Sequence, residues 1–571
     1  MKDFIIPWDD RDYGTPASKA EKQVTLTIDG KEVTVPKGTK VIDAAKEVGV
    51  EIPHFCYHPG LPVDGNCRMC IADVRTWNAR AEKHFPARRP AVTCWTDAEE
   101  NMQVFTDTPE VKKSRATVME FLLINHPIDC PICDKAGECM LQDHYMGHDR
   151  KRSELREEKV HKPRLVEFGE RIVYNGERCI LCSRCTRFTT HVSKTFDLGI
   201  VNRGDRAIVE LAQDSDFDHA YTDNVADICP VGALTKQDFR FKKRVWFLKH
   251  TDGVCGGCSR NCNTVVDHDR AEVIRVMPRR RDEINEHWMC NEGRDLYKTL
   301  GEAVRTSAPI AKVEGLATAP GWDAALAWAG EQLAPQKKNG KLAAIASPWM
   351  TNEEALVFTH LVTKVLKGQW LDVKDDVVDG YPADDLLHTD DHNPNRNGVI
   401  AAGCVPGKKD GKDLPAILEA CAAGEVEVLL VWGPGLVNHY DRDAAAMVEA
   451  LSSVPVIIQI TDALDELSEL AALVLPARNW AERNGTWTNV DGHHSRFKKA
   501  LRPHGGSRDG FELLSELCVA AGGKPPVKTF KDARKKLKQD PDSDVRDVGD
   551  GEFSFFKNQS LYRHHGGATE V

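Results

Sequence analysis

HPIDCPICDKAGEC, residues 126–139, is the stretch around which the chain is organised. It places one imidazole and three thiols in the spacing His-x3-Cys-x2-Cys-x5-Cys, and such ligands select zinc or iron–sulfur chemistry. Pro127 and Pro131 keep the backbone out of a helix, so that a loop can wrap a metal group. The pattern therefore favours a metal site over a structural histidine beside buried cysteines. The candidate ligands are His126, Cys130, Cys133 and Cys139.

Fifteen of the eighteen cysteines fall into four groups, and with His126 they make sixteen candidate ligands in four sets of four. In chain order, set I is Cys56, Cys67, Cys70 and Cys94; set II is the one quoted above; set III is Cys179, Cys182, Cys185 and Cys229; set IV is Cys255, Cys258, Cys262 and Cys290. Cys404, Cys421 and Cys518 stand alone, and isolated cysteines often serve as small hydrophobes.

The spacing within set III bears on which metal is bound. Zinc ribbons carry paired Cys-x2-Cys knuckles at both ends of a site. Set III instead has three cysteines, each separated from the next by two residues, followed by the remote Cys229-Pro230, and this is the ferredoxin arrangement. Iron–sulfur groups are therefore favoured over zinc for the whole chain. A zinc-stabilised assembly scaffold without redox work stays open as an alternative.

Composition limits the class of protein. The chain has 571 residues, a net charge of −11 and 41% apolar residues, which suits several globular domains and argues against a nucleic-acid binder. The N-terminal apolar run is too short for a signal peptide, and about eighteen uninterrupted apolar residues occur nowhere. So many metal-bound thiolates suit a reducing compartment. We therefore expect a chain on the cytosolic side without a direct membrane span.

The residues before set I predict a ferredoxin-like domain. VTLTIDGKEVTV, residues 24–35, alternates apolar and polar residues about Asp29-Gly30, which is a hairpin signal. A helix at about 40–48 follows, with Thr39 as its expected cap. The order hairpin, helix and cysteine loop is that of a β-grasp ferredoxin and supports a 2Fe-2S centre. An amphipathic helix at 107–125 then leads to set II.

The region 305–525 predicts an α/β domain. Four short apolar strands, KLAAIAS, VEVLLVWG, VPVIIQI and LAALVLP, alternate with helical segments at 352–367, 414–424 and 441–451. Such strands predict a parallel sheet covered on both faces. Gly433-Pro434-Gly435 after one strand is interpreted as an ordinary turn in preference to a phosphate cradle.

Three motifs carry a resemblance to a known family: HPIDCPICDKAGECMLQD, RCILCSRCTRF and DICPVGALT. They resemble the iron–sulfur G subunit family of bacterial NADH-quinone oxidoreductase, respiratory complex I, and the module order is also similar to the electron-entry part of NAD-linked hydrogenases and formate dehydrogenases. The resemblance implies a 2Fe-2S cluster at set I and 4Fe-4S clusters at sets II and III. The chain departs from the family pattern in the enlarged insert before Cys94 and in His191 after TRF.

Set IV resembles the N-terminal 4Fe-4S domain of molybdopterin oxidoreductases, which implies a third 4Fe-4S cluster. Those enzymes usually carry a lysine after the last ligand, where this chain has Asn291-Glu292-Gly293-Arg294. Residues 461–501 likewise resemble that fold in shortened form, but Cys404 is followed by Val405 where a formate dehydrogenase would have histidine. Molybdopterin is therefore not expected.

The expected fold is a multidomain α/β and α+β chain. Its predicted parts are an N-terminal extension (1–22), a β-grasp 2Fe-2S ferredoxin domain (23–105), a histidine-ligated 4Fe-4S domain (106–160), a 4Fe-4S ferredoxin-like domain (161–247), a 4Fe-4S domain of molybdopterin-oxidoreductase type (248–304), a shortened molybdopterin-oxidoreductase-like domain (305–525) and a charged tail (526–571).

The resemblance implies an electron-transfer subunit with no catalytic residue of its own. It would take electrons from a flavin-bearing, NADH-binding subunit and pass them to a downstream iron–sulfur subunit towards quinone, as a peripheral part of a complex on the cytoplasmic side of the bacterial inner membrane. The alternatives are a subunit of an NAD-linked formate dehydrogenase or hydrogenase and a catalytic molybdopterin dehydrogenase.

Overall fold

The computed structural model describes residues 21–149, 153, 155–313, 318–375, 383–437, 443–539 and the backbone of 553–554. Most of the predicted N-terminal extension and most of the predicted tail lie outside these residues. So does part of residues 148–161, whose high charge and low apolar content predict a connector across the surface. The chain divides into two compact units. Unit 1 comprises 1–248, 286–291 and 554–571, and unit 2 comprises 249–285 and 292–553.

The first part of unit 1 is the predicted β-grasp domain. Its strands are Gln23–Ile28, Lys31–Pro36, Ile71–Asn78, Lys83–Pro86, Ala91–Val92 and Gln103–Phe105, with a helix at Val41–Glu47. Asp29 and Gly30 both have positive φ, which closes the predicted hairpin. The first strand also pairs in parallel with Gln103–Phe105, and apolar side chains from the sheet and the helix form one core.

The predicted cap of the first helix is wrong. Lys40 occupies the N-cap position without a side-chain cap hydrogen bond. The Thr39 hydroxyl instead donates to the carbonyl of Pro36 at 2.7 Å. Thr39 therefore stabilises the end of the preceding strand and does not cap the helix.

The helix that leads to set II spans Pro109–Leu123. Thr108 caps it by accepting from the amide of Val111 at 3.3 Å, and Pro109 suits the first helical turn because no intrahelical bond is needed there. Arg115 is buried and donates to the carbonyl of Ile71 at 2.8 Å, which ties the helix to the β-grasp sheet.

The rest of unit 1 consists of short elements between the cysteine loops. They are a 3-10 turn at Cys130–Ile132, helices at Met140–His148, Arg184–His191 and Asn224–Ile228, strands at Val166–Phe168, Ile172–Tyr174, Leu198–Val201, Ile208–Leu211 and Leu234–Lys236, and 3-10 turns at Gly204–Arg206 and Val245–Phe247. The fully buried Asp223 pairs with Arg171 and Lys236, each at 2.9 Å. It thus joins the helix at Asn224–Ile228 to the turn before Ile172–Tyr174 and to the strand Leu234–Lys236.

Unit 2 begins with antiparallel strands Lys249–Val254, Asn263–His268 and Val273–Pro278. The last two form the hairpin that the segments NTVVDHD and EVIRVMP predict. Its main sheet runs, edge to edge, through Ile310–Ala311, Leu473–Pro476, Val456–Thr461, Val428–Trp432, Leu342–Ala346 and Trp370–Val373. Five of these strands are parallel and Ile310–Ala311 is antiparallel. Apolar clusters lie on both faces, so the predicted parallel sheet with two covered faces is confirmed.

The rest of unit 2 consists of helices, turns and three further strands, of which Phe553–Ser554 pairs with Lys249–Val254 and not with the main sheet. They are helices Lys298–Glu302, Trp322–Leu333, Gln336–Asn339, Asn352–His360, Arg396–Ala401, Leu414–Ala422, Ala444–Ser452, Glu466–Leu470, Gly510–Ala520 and Phe530–Leu537, a π-helical turn Leu361–Val365, a 3-10 turn Trp480–Glu482, a hairpin of strands Gly485–Thr488 and His494–Phe497, and the short strand Phe553–Ser554. A helix at Asn291–Asp295 follows Cys290.

The helix at Phe530–Leu537 differs from the predicted charged tail. Ala533 is fully buried against the core, and Phe530 packs against Phe511 with ring centroids 4.6 Å apart. Arg534 donates to the fully buried Glu353 at 2.7 Å. Although this segment is rich in charge, it forms a helix. Its apolar face and one buried arginine attach the helix to the rest of unit 2.

We expect Glu353→Ala to lower the free energy of unfolding of unit 2 by about 3–5 kcal/mol, because Arg534 would keep a buried, unpaired charge. The loss should appear as a lower urea midpoint. Glu331→Ala, which removes an exposed carboxylate of the same unit, is the matched control. Equal midpoints for the two variants would contradict the assigned role of Glu353.

Candidate metal centres

Set I converges in the β-grasp domain as two pairs of thiols. The Cys56 and Cys67 thiols form one hydrogen-bonded pair, and the Cys70 and Cys94 thiols form the other. The pKa of Cys94 is raised first by this hydrogen bond and then by burial, and Cys56 and Cys67 also act on it. Two facing pairs are the arrangement that a two-iron group needs, one pair for each iron.

The enlarged insert before Cys94 has a structural explanation. Strand Ile71–Asn78 turns back through Lys83–Pro86, and Ala91–Val92 then pairs with the start of the same strand, Ile71 opposite Val92. The Thr93 hydroxyl and amide both donate to the carbonyl of Cys70, at 2.6 and 3.1 Å. The insert is thus a hairpin that returns Cys94 to Cys70, although the two are far apart in sequence.

The thiols of set III lie near one another at the helix Arg184–His191, which itself contains Cys185. Leu181 and Ser183 have positive φ, so the chain turns sharply between successive cysteines, and the Leu181 amide donates to the Cys179 sulfur at 3.4 Å. Burial raises the pKa of Cys182 to about 12, and the charges of Cys229 and Cys179 contribute. Burial also raises the pKa of Cys185, on which the three other thiols of the set all act.

Set II is the most accessible of the sets in unit 1. Cys133 is buried and Cys139 is partly buried, whereas Cys130 is exposed. Burial raises the pKa of Cys139 to about 12, and Cys133 adds to it. An added Cβ on Gly232 would lie 2.1 Å from the Cys133 sulfur, so only glycine fits beside this thiol.

His126 presents a ring nitrogen that lacks a partner. Its Nδ1 atom is shielded from solvent and has no hydrogen-bond partner among the described residues. Burial, followed by the charges of Arg178 and Lys159, lowers the pKa of His126 to about 4, so the imidazole is neutral at pH 7 and its lone pair is available. Such a buried, unsatisfied nitrogen fits a metal ligand.

Lys159 holds the approach to set II and was missed by the sequence analysis. Its ammonium donates to the carbonyls of Leu123, Ile124 and His126 at 3.1, 2.8 and 3.0 Å. These carbonyls end the helix that leads to the set, where a cation is favoured. Lys159 lies in residues 148–161, which the sequence predicts to be a surface connector. The only feature of the sequence that could have indicated its role is a lysine that follows a charged run.

Three members of set IV lie on one tight loop of unit 2. The amide of Cys255 donates to the carbonyl of Cys262 at 2.9 Å, and the amide of Gly257 donates to the Cys255 sulfur at 3.4 Å. Asn261, with positive φ, donates to the carbonyl of Cys255 at 3.2 Å. The fourth member, Cys290, is buried and is grouped with unit 1.

A loop that the sequence analysis did not single out covers these three cysteines. The Ser259 amide donates to the carbonyl of Asp391 at 2.8 Å, and the Ser259 and Thr389 hydroxyls lie 3.0 Å apart. His392 Nδ1 lies 3.3 Å from the carbonyl of Gly257. The contacts join segments about 130 residues apart, which no local pattern reveals.

The three isolated cysteines are buried, and burial raises their pKa values, to about 12 for Cys404 and Cys518 and about 11 for Cys421.

The glycines of the Gly-Pro-Gly segment use their amides within the chain. Gly433 donates to the carbonyl of Ile460 and Gly435 to Asp465, each at 2.7 Å. These bonds favour the turn interpretation.

The donor sets fit iron–sulfur groups. Among the described residues, which include all eighteen cysteines, no disulfide forms. The paired sulfurs of set I, the neighbouring thiols of set III and the His126 nitrogen without a hydrogen-bond partner are donors that such groups accept.

Comparison with protein families gives the same modules in the same order. The models that match are "2Fe-2S iron-sulfur cluster binding domain" (21–109), "NADH-ubiquinone oxidoreductase-G iron-sulfur binding region" (115–154), "NADH-quinone oxidoreductase subunit 3, ferredoxin-like domain" (169–235), "NADH-ubiquinone oxidoreductase NDSU1/NuoG-like, 4Fe-4S domain" (255–298) and "Molybdopterin oxidoreductase" (392–520). The chain therefore carries iron–sulfur binding domains, and the predicted fold class is confirmed.

Curated relatives share about a third of their residues with this chain. The G subunit of NADH-quinone oxidoreductase from Streptomyces coelicolor is 35% identical over 376 residues, covering 65% of this chain and 43% of the relative. The NADH-ubiquinone oxidoreductase 75 kDa subunit of Reclinomonas americana is 36% identical over 345 residues, covering 60% and 48%. This chain thus spans about half the length of the curated relatives it matches.

A solved structure of an NAD+-reducing [NiFe]-hydrogenase in the H2-reduced state matches 39% of this chain and 91% of that chain, with 28% identity and a TM-score of 0.34. That score is too low for an argument about function. In the described parts of the chain, no helix has the length and apolar content to cross a bilayer.

We expect Cys94→Ala to remove the spectroscopic signal of set I and about two irons per chain, because one iron of the group would lose a ligand. Iron analysis and electron paramagnetic resonance of the full chain measure both. Cys404→Ala, which removes a buried thiol outside all sets, should keep all signals. An unchanged set I signal in Cys94→Ala would show that Cys94 is not a ligand.

Proposed function

Because about three fifths of this chain is homologous to the G subunit of NADH-quinone oxidoreductases, we propose that it is an electron-transfer subunit of such a complex. It takes electrons from a flavin-bearing, NADH-binding subunit and passes them to a downstream iron–sulfur subunit towards quinone. The observation that carries the proposal is the presence of three buried or half-buried donor sets in one compact unit.

We assign the ligands as the motifs predict. Set I would hold a 2Fe-2S cluster through Cys56, Cys67, Cys70 and Cys94. Sets II, III and IV would each hold a 4Fe-4S cluster, His126 being the one nitrogen ligand. Such groups supply one-electron transfer, which connects a two-electron donor to a distant acceptor.

The chain's own residues keep water from these groups. Every thiol of set III except Cys179 is buried, as is every thiol of set I except Cys67. Exclusion of water lowers the local dielectric and so strengthens the effect of each nearby charge. The folded chain thus provides fixed, dry ligand positions, which we assign as its contribution to electron transfer.

Set II is the place that we assign to the downstream iron–sulfur subunit. Cys130 is exposed, and the adjacent Ile128 and Ile132 are 88% and 58% exposed. Phe241, which is 68% exposed, donates its amide to Asp134 of the same loop at 2.9 Å. Apolar side chains that are exposed around a partly exposed set of candidate ligands are typical of a surface that another subunit covers.

We also propose a peripheral location on the cytoplasmic side of a bacterial inner membrane. The proposal rests on the relatives' quinone-reducing activity and on the reducing conditions that fifteen ligand thiols require. A catalytic molybdopterin dehydrogenase is the second candidate, favoured by the family match over 392–520.

Metal analysis of the anaerobically purified full chain separates the candidates. We expect about fourteen irons per chain and no molybdenum, since one two-iron and three four-iron groups would be bound. Molybdenum or tungsten would support the dehydrogenase, and zinc without iron would support a structural scaffold. Either result would overturn the proposed function.

We expect His126→Cys to keep its iron but change the paramagnetic signal of set II, because a thiolate would replace a neutral nitrogen. His504→Cys, which adds a thiol at an exposed position of unit 2, is the control for an extra cysteine. An unchanged set II spectrum would argue that His126 is not a ligand.

A further inference from the structure

The ligand loops of sets I and III are joined to each other by hydrogen bonds. Residues 56–67 form the first loop and residues 179–187 the second, and more than 110 residues separate them along the chain. The cross-links run from Arg184 to the Tyr57 carbonyl, from Arg187 to the Cys56 and Pro62 carbonyls, from Ser183 to the Asp64 carboxylate, and from Asn66 to the Leu181 carbonyl.

Arg187 contacts a predicted ligand residue of each set. Its Nη2 donates to the carbonyl of Cys56 and lies 3.4 Å from the carbonyl of Cys182. Its Nη1 donates to the Pro62 carbonyl, and its Nε donates to the Ser183 hydroxyl at 3.1 Å. All three nitrogens of the guanidinium are therefore engaged, and the planar group is held in one orientation between the two loops.

The charge of Arg187 acts on both sets. Its guanidinium lies against the backbone of a predicted ligand residue in each set, Cys56 in set I and Cys182 in set III. The guanidinium is a permanent cation, and a half-buried position screens its field less than bulk water would. A fixed positive charge favours the more negative, reduced state of a neighbouring redox group, and nearby charge is one of the factors that set cluster potentials.

We propose that Arg187 is a positioning residue shared by sets I and III, which fixes the two ligand loops together and raises the reduction potentials of the groups that both sets bind. The proposal deepens the proposed function and rests on it, since it requires iron in both sets. It assigns to one side chain the coupling of two sites that the motifs present as independent.

The test compares Arg187→Met with Arg187→Lys in the iron-loaded full chain. Midpoint potentials are measured by dye-mediated titration followed by electron paramagnetic resonance, in which each reduction moves one electron from a mediator dye to one set. We expect Arg187→Met to shift the potentials of sets I and III downward together and to leave set II in place. Arg187→Lys, which keeps the charge but not the fork of donors, should retain most of both potentials.

Arg203→Met, which removes an exposed cation of unit 1, is the matched control and should shift neither potential. A shift confined to one set, no shift in either, or equal shifts for the Met and Lys variants would overturn the proposal. Should Arg187→Met lose its iron, Arg187→Lys decides alone. In that case, midpoint potentials of sets I and III in Arg187→Lys that are close to those of the unaltered chain, together with altered paramagnetic signals from both sets, support the proposal. A paramagnetic signal that changes in only one of the two sets contradicts it. An unaltered chain that binds no iron would instead defeat the proposed function.

Discussion

The structure depends on the burial of thiols next to one another. Burial raises the pKa of Cys182 and Cys139 to about 12, so without a metal these thiols keep their protons at pH 7. Metal ligation requires thiolates, and it therefore releases protons and couples loading to folding. The sulfurs are held in groups by the short loops with positive φ in sets III and IV and by the glycine beside Cys133. They are held so although burial opposes the charged, thiolate form of each cysteine. The bound metal would supply the stabilising energy that these loops lack by themselves.

The sequence predicted those features that depend on local spacing. The hairpin about Asp29-Gly30 and the parallel strands of unit 2 follow from patterns within short windows, whereas the predicted sets I and III each include one distant cysteine, Cys94 and Cys229. The features that were missed depend on contacts between distant segments. The return of Cys94 depends on a strand pairing with Ile71, and Lys159 acts on carbonyls more than 30 residues away. The wrong cap at Thr39 shows the same limit at short range, because a strand end competed for its hydroxyl.

Unit 2 shows that charge content alone is a poor guide to the end of a domain. The helix Phe530–Leu537 contains five charged residues in eight, which predicts a solvated tail, yet Ala533 is fully buried and Arg534 reaches a carboxylate inside the core. Glu353 also accepts from the Thr486 hydroxyl and amide at 2.8 and 3.1 Å, so its charge is paired and its oxygens are hydrogen-bonded. Such full satisfaction is what permits a buried ion pair, and no periodicity in the sequence announces it.

Two different residue types adjust charge at the donor sets of unit 1. His126 is neutral, so a group bound at set II carries one negative charge fewer than it would with a fourth thiolate. At sets I and III all proposed ligands are thiols, and we assign part of the compensating positive charge to Arg187, which lies outside the ligand sets. A neutral ligand acts on one group only, whereas a cation that bonds to Cys56 and lies against Cys182 acts on two. Because Coulomb energy falls with distance and with screening, this shared effect requires the two loops to stay at a fixed separation, which is what the hydrogen bonds between them provide.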